Sequence, residues 1–294
     1  MRIEANQLTA SHPAFWLKCE SLQITGSFKA RGALNSMLAV QLPSAGVCTA
    51  SGGNHGQAVA WAAHLLGVPA AVFVPTSCPP IKAQRMREYG AALTITGAVY
   101  DESRAAAERF ATKTGALLVH PFDDPLTVAG SGTVAAEFVE QVPTLTTILV
   151  AVGGGGLLAG ALAAVGDTST RVVAVEPFTA RCLGAAQEAG ERVDVPVSGV
   201  AVDSLGVTRV GRLAFAAATA HTVQHIDVTD DAITRAEQIA WQELRIGLEA
   251  GGATALAALV SGAYRPADNE TVGVLLCGGN VDIAALLQNP HTAD

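Results

Sequence analysis

An α/β fold on mainly parallel sheets is what this 294-residue sequence predicts, and three observations predict it. Short apolar runs alternate with longer Ala-rich stretches of helical period, the pattern of βα units on parallel strands. Several strand-like runs pass directly into glycines that open helices, as in Thr147–Val152 followed by Gly153–Gly156. Half of the chain is hydrophobic and only 15% is charged, enough apolar material for one large domain or two medium ones.

In order along the chain, Lys29 stands at a strand-to-helix junction, and Ser51–Gln57 opens a helix over Ala58–Leu66. Val68–Val74 reads as a buried strand and Ile81–Tyr89 as a helix stopped by Gly90. A strand over Leu93–Thr96, a helix over Glu102–Thr114 ended by Gly115, and a strand over Leu117–His120 follow. This block, residues 46–124, is expected to form a small domain, with 1–45 and 125–294 forming a large one. In the latter, Thr147–Val152, Arg171–Val175 and Val272–Cys277 are strands, and Asp231–Leu248 is a helix with Asp and Thr capping candidates at its start. No repeat of 20–50 residues interrupts the pattern.

Composition excludes several classes of function. The mean hydropathy is +0.35, yet no apolar run reaches the roughly 18 residues that cross a bilayer, so a soluble protein with no membrane partner is expected. Residues 1–10 lack the apolar core of a secretory signal, which makes the cytoplasm the expected location. A net charge of −8 with 18 dispersed Lys and Arg argues against a nucleic-acid partner. The five cysteines form no C-x-x-C pair, consistent with free thiols and with no structural zinc.

The chemistry concentrates in one lysine and three glycine-rich loops. Lys29 lies in Thr25-Gly26-Ser27-Phe28-Lys29-Ala30-Arg31; a lysine becomes a nucleophile when desolvation or a neighbouring cation lowers its pKa, and Phe28 and Arg31 are the expected sources. The alternative is a solvated lysine in a first helical turn. Gly153, Gly154, Gly155 and Gly156, between a buried strand and the apolar helix starting at Leu157, converge backbone amides on an anion without the Lys-Ser/Thr of a P-loop or a G-x-G-x-x-G spacing. Ser51-Gly52-Gly53-Asn54-His55 opens another helix, suited to a carboxylate or simply an N-cap with polar decoration. The third loop, Cys277-Gly278-Gly279-Asn280, closes the last strand. An imine-forming lysine, a phosphate cradle and a carboxylate-binding helix start together suggest pyridoxal phosphate handling an amino acid.

On these motifs, from about Leu17 to Ile283, the chain resembles the fold-type II pyridoxal-phosphate enzymes of the serine/threonine dehydratase and serine racemase group. The resemblance implies a tryptophan synthase β-like fold of two three-layer α/β domains with mainly parallel sheets. It implies that Lys29 forms the Schiff base with pyridoxal 5'-phosphate, that Phe28 packs on the ring and that Asn54 binds the ring hydroxyl. Gly153–Gly156 with Leu157 would hold the phosphate, Cys277 would face the pyridine nitrogen, and Ser51, Gly52, Asn54 and His55 would receive the amino-acid substrate. A thiol at the pyridine nitrogen makes the ring a weaker electron sink than a carboxylate would, which favours β-elimination.

Departures from the family pattern sharpen the expectation. Racemase-like relatives carry a serine two residues before the loop Asn, where this chain has Gly52, so racemisation lacks its second proton donor. The family's divalent-cation site would use Glu176, the Ala180 carbonyl and an Asp where this chain has Cys182; thiolate is a poor ligand for a hard cation, so no metal is expected. Asp203 would disfavour an acidic substrate side chain; Arg104, at a position whose arginine approaches substrate in racemases, would favour one or simply be an exposed helical residue. Relatives usually carry a longer stretch before the strand that Leu17 belongs to, the resemblance implies a homodimer, and because the sequence ends soon after Asn280 no regulatory domain is expected. The expected activity is dehydration of L-threonine or L-serine to a 2-oxo acid and ammonia. The alternatives are a serine racemase or 3-hydroxyaspartate dehydratase and, in another class, a catalytically inactive binding protein.

Overall fold

The computed structural model describes residues 1–8, 13–98, 100–166 and 168–282; Ile283, at the far end of the resemblance, lies outside them. The chain begins with β1 (Arg2–Ile3), β2 (Phe15–Cys19) and α1 (Lys29–Leu38). Then follow β3 (Val47–Ala50), α2 (Asn54–Leu66), β4 (Ala70–Val74), α3 (Pro80–Glu88), β5 (Ala92–Ile95), α4 (Tyr100–Thr114) and β6 (Leu117–Leu118). Next are α5 (Pro125–Gln141), β7 (Thr147–Ala151), α6 (Gly156–Val165), β8 (Arg171–Pro177), α7 (Cys182–Ala189), α8 (Val202–Leu205) and α9 (Arg212–Ala220). The described elements close with β9 (Gln224–Val228), α10 (Asp230–Leu244), α11 (Ala250–Val260) and β10 (Val272–Leu276).

The strands form two sheets, in the orders β1-β2-β10-β7-β8-β9 and β5-β4-β3-β6. Every pairing is parallel except β1 with β2, where Arg2 faces Trp16. In the second sheet the two-residue strand period sorts side chains to opposite faces. Val47, Val72 and Val74 join α2 and Met86 in one cluster, whereas Cys48, Ala50 and Phe73 meet Ala107 and Phe110 of α4 in another. Both faces are therefore covered. In the first sheet β7 and β10 are buried at every residue, as expected of strands covered on both sides.

Close helix packing sets the relation between the two helix starts that carry the chemistry. Helix α5 touches both α1 and α6; a Cβ on Gly132 would come within 2.6 Å of the Gly160 carbonyl oxygen. Only glycines allow α5 and α6 that approach. The start of α1, at Lys29, and the start of α6, at Gly156, are thereby fixed to a common helix.

The helix expected over Asp231–Leu248 is shorter. It begins at Asp230 behind Thr229, whose hydroxyl accepts from the Ala232 amide, and stops at Leu244. Arg245 adopts the left-handed conformation, φ 59°, and its amide bonds to Ala240 and Trp241. Helix α5 was not among the expected elements, although Asp124 caps the Leu126 and Thr127 amides and Pro125 occupies the first turn.

Candidate functional site

Lys29 is the first residue of α1, brought beside β10 because Ser27 bridges Gly278 and the Phe28 amide donates to the Cys277 carbonyl at 3.1 Å. Its ammonium donates to the Pro121 carbonyl at 2.8 Å and stands 5.0 Å from the centre of the Phe28 ring. Burial lowers the Lys29 pKa to about 8, against an opposing pull from Cys277 and Glu249. The expected contribution of Arg31 is corrected: its guanidinium is engaged by Glu20 at 2.7 Å and Glu137 at 2.7 Å, so desolvation does the work.

The four-glycine loop runs from the end of β7 into α6, and the first amides of a helix have no acceptor within it. Gly155 has φ 84°, a conformation that favours glycine. A Cβ on Gly154 would lie 2.3 Å from the Phe122 ring, and one on Gly153 3.0 Å from Leu205. The carbonyls of Gly153 and Gly154 are engaged by the Cys182 thiol at 3.2 Å and the Gly211 amide at 3.0 Å.

Asn54 opens α2 facing the Cys277–Asn280 loop. Its Oδ1 accepts from Asn280 Nδ2 at 2.8 Å, and its Nδ2 donates to Glu249 Oε1. Glu249 escaped the sequence reading. It is buried in front of α11, the only charged residue between Ile246 and Val260, and that isolation in an apolar stretch was the available signal. Burial pushes its carboxyl up to about 7, and Lys82 stands 3.9 Å from Oε2. Lys82, on α3, also pairs with Asp203 at 2.8 Å, joining the second sheet's helices to α8 across the mouth of the Ser51–His55 loop.

Ser51 accepts from the Gly53 amide at 3.2 Å. Gly52 is covered by Cys78, whose Sγ donates to the Gly52 carbonyl at 3.3 Å; a Cβ on Gly52 would meet Cys78 Cβ at 3.1 Å. His55 turns its Nε2 to the Val119 carbonyl at 3.0 Å, and burial lowers its pKa to about 3, so it is a neutral brace under the loop, with only Nδ1 left unpartnered. Cys277 is buried, donates to the Gly251 carbonyl at 3.4 Å, and is pushed up to about 12 by burial, which keeps it a neutral thiol. Arg104 lies on the exposed face of α4, paired with Asp101 and Glu108.

The fit to pyridoxal phosphate can be judged from what these residues leave unmade. Among the described residues, the buried side-chain polar atoms without a hydrogen bond are Ser21 Oγ, Thr25 Oγ1, Ser27 Oγ, His55 Nδ1, Gln57 Nε2, Glu249 Oε2 and Asp227 Oδ1. Five of the seven belong to the segments around Lys29 and Asn54, and a sixth is on Glu249, which Asn54 contacts. Buried polar atoms are seldom left unpaired, so their concentration here suits a polar ligand held between an amine and a glycine cradle. A cavity of about 270 Å³ opens elsewhere, lined by Thr170, Arg171 and Gln224 at the beginnings of β8 and β9. Parallel α/β sheets bind ligands at the opposite, carboxyl ends of their strands, where Lys29 and the glycine loops are.

Comparison with known proteins bears on the family and the fold. A family model described as "Pyridoxal-phosphate dependent enzyme" matches residues 3–278. The L-threonine ammonia-lyase of Geobacter sulfurreducens is 38% identical over 97% of this chain and 73% of its own. A serine racemase of Oryza sativa subsp. indica is 36% identical over 93% of this chain and 83% of its own. Among solved structures, maize serine racemase superposes with a TM-score of 0.90 at 33% identity, covering 98% of this chain and 90% of that one. The processed form of threonine deaminase isoform 2 from Solanum lycopersicum gives 0.87 at 32% identity, covering 93% and 81%.

Proposed function

The chain belongs to the pyridoxal-phosphate-dependent enzyme family, with the fold-type II architecture, and on that premise we propose that it is an ammonia-lyase dehydrating L-threonine, L-serine or both to a 2-oxo acid and ammonia. The observation that carries the reading is a partly buried lysine, its pKa lowered to about 8 by desolvation, set among unpartnered polar atoms and beside a cradle that admits no Cβ. Gly153–Gly156 and Leu157 would hold the phosphate, Phe28 the ring face, Asn54 the ring hydroxyl and Cys277 the pyridine nitrogen. Bound there, the cofactor supplies a carbonyl that captures the substrate amine and a conjugated ring that accepts electrons from Cα.

The protein's own groups do the rest. With a pKa of about 8, Lys29 Nζ carries an appreciable neutral fraction near neutrality and is the base for the Cα proton. Ser51, Gly52 and the amides at the start of α2 receive the substrate carboxylate. Phe28 and Phe122 exclude water from the amine and the cradle. The neutral Cys277 thiol has no carboxylate's pull on a ring proton, which favours expulsion of a β-substituent over long retention of charge.

Elimination is preferred over racemisation because position 52 has no side chain to donate a proton. Gly52→Ser combined with Cys78→Gly, which removes both the Cβ at 3.1 Å and the Sγ at 3.2 Å that the new Cβ would meet, is expected to raise D-serine formation about a hundredfold. Comparable D-serine and pyruvate release by the unsubstituted enzyme would overturn the preference. The function itself is tested by 2-oxo-acid release from L-threonine and L-serine; release from neither, by protein loaded with cofactor, would sink it.

The same reading includes a large domain of residues 1–45 and 125–294, a small one of residues 46–124, and a homodimer. Exposed Leu22 and Ile24, 76% and 60% accessible, support the dimer. Five free cysteines support a cytoplasmic location. None of the described helices is long and apolar enough to cross a membrane.

A further inference from the structure

The divalent-cation site that the family resemblance implies would be built on Glu176, and the residues present do not fit a hard cation. Glu176 is wholly buried at the end of β8. A carboxylate offers about four acceptor positions. Three are filled by N–H donors: the Leu183 amide at 2.9 Å on Oε1, and the Gly184 amide at 2.9 Å and His225 Nε2 at 2.8 Å on Oε2. The fourth faces the Cys182 thiol, whose single hydrogen is shared between Oε1 at 3.6 Å and the Gly153 carbonyl at 3.2 Å.

His225 and Asp227 do bring ligand-type atoms within 4.8 Å of Glu176. A carboxylate can only accept, however, so His225 Nε2 carries the hydrogen in its contact with Glu176, and a protonated nitrogen has no lone pair for a metal. Asp227 Oδ2 is engaged by Arg181 at 3.0 Å, which brings a guanidinium where a metal ion would add a second positive charge. The fold also makes room for the imidazole, since a Cβ on Gly184 would lie 2.4 Å from His225 Cε1.

We propose that His225 takes the place of the cation. Its N–H clamps Glu176, and the clamp extends through the Cys182 thiol to Gly153, the first residue of the glycine cradle. The enzyme therefore needs no divalent ion, and His225 is a positioning residue for cofactor retention. The second half rests on the reading that Gly153–Gly156 holds the cofactor phosphate.

Metal content by mass spectrometry and melting temperature with EDTA, Mg²⁺, Mn²⁺ or Zn²⁺ test the first half on the purified full chain, with or without cofactor. Substoichiometric metal and an unchanged melting temperature are expected; a stoichiometric ion whose removal lowers the melting temperature would overturn it. For the second half, pyridoxal phosphate is titrated into the apoprotein by fluorescence. His225→Ala should weaken binding about tenfold, the scale of one buried hydrogen bond to a charged group, and His225→Gln, which keeps an N–H at similar reach, should restore most of it. Wild-type affinity in His225→Ala, or equal impairment in both variants, would overturn the positioning role. Failure of the unsubstituted protein to bind pyridoxal phosphate would instead sink the functional reading, and the retention role with it, while the metal measurements still decide the first half.

Discussion

Two buried carboxylates, Glu249 and Glu176, stand near the carboxyl edge of the first sheet and differ in what surrounds them. Glu176 is fully satisfied by three N–H groups and a shared thiol hydrogen. Glu249 accepts from Asn54 alone on Oε1, leaves Oε2 without a hydrogen bond, and has its carboxyl pushed up to about 7 by burial. A buried acid whose acceptors are all used by its own chain is a brace. One left short of partners, among other unpartnered atoms and a lysine with a lowered pKa, marks where a ligand completes the structure.

The largest effect expected on the unsatisfied side is that of Lys29→Ala. On the proposed reading, removing the amine takes away both the attachment point and the base for Cα, so 2-oxo-acid release should fall by at least about a thousandfold, within the range that one positioned acid or base supplies. The melting temperature should hold or rise, because a partly buried ammonium is lost. Borohydride reduction and peptide mapping provide the direct check, and a label on a lysine other than Lys29 would break the comparison at its root.

On the satisfied side, Glu176→Gln is the sharpest perturbation. An amide keeps one acceptor but turns an NH₂ toward donors, stranding the Leu183 or Gly184 amide or the His225 N–H in a dry interior. A destabilisation of about 2–4 kcal/mol is expected. Thermal melts that showed no loss would mean Glu176 is not a brace.

How much of this was legible follows from which interactions are local. The strands over 68–74, 147–152 and 272–277 were visible because a buried parallel strand is a continuous apolar run, and the glycine cradle because its glycines are adjacent in sequence. The end of α10 was not, since its left-handed stop falls on Arg245, where nothing in the residue type announces it. The Lys29 environment was read correctly as desolvated but with the wrong helper, because the pairing of Arg31 with Glu137 spans 106 residues. Glu249 and His225 were missed for the same reason. His225 meets Glu176 only once β8 and β9 are set side by side, and Glu249 meets Asn54 and Lys82 only once the helices of the second sheet pack against the first.

The smallest effect, and the one that divides the two acids most finely, is the pH dependence of Glu249→Gln. The unfolded carboxyl titrates near 4.5 and the folded one at about 7, so between these values the native state holds more protons than the unfolded state. The stability this group contributes is therefore full below about pH 4.5 and is lost as pH rises through about 7. The shift caps the loss at about 3 kcal/mol, and 1–2 kcal/mol is the expectation. Glutamine mimics the protonated acid, keeps an acceptor for Asn54 and cannot ionise, so the variant should gain stability relative to wild type on going from pH 5 to pH 8. Glu237, also raised to about 7 by burial, leaves a residual slope of the same sign in both proteins. Lys29, lowered to about 8, acts oppositely and mainly above that pH, so the apoprotein series stops there. Parallel stability curves for wild type and Glu249→Gln would mean that Glu249 is as well served as Glu176, and the distinction between brace and ligand site would then have to rest on Lys29 and the glycine cradle without it.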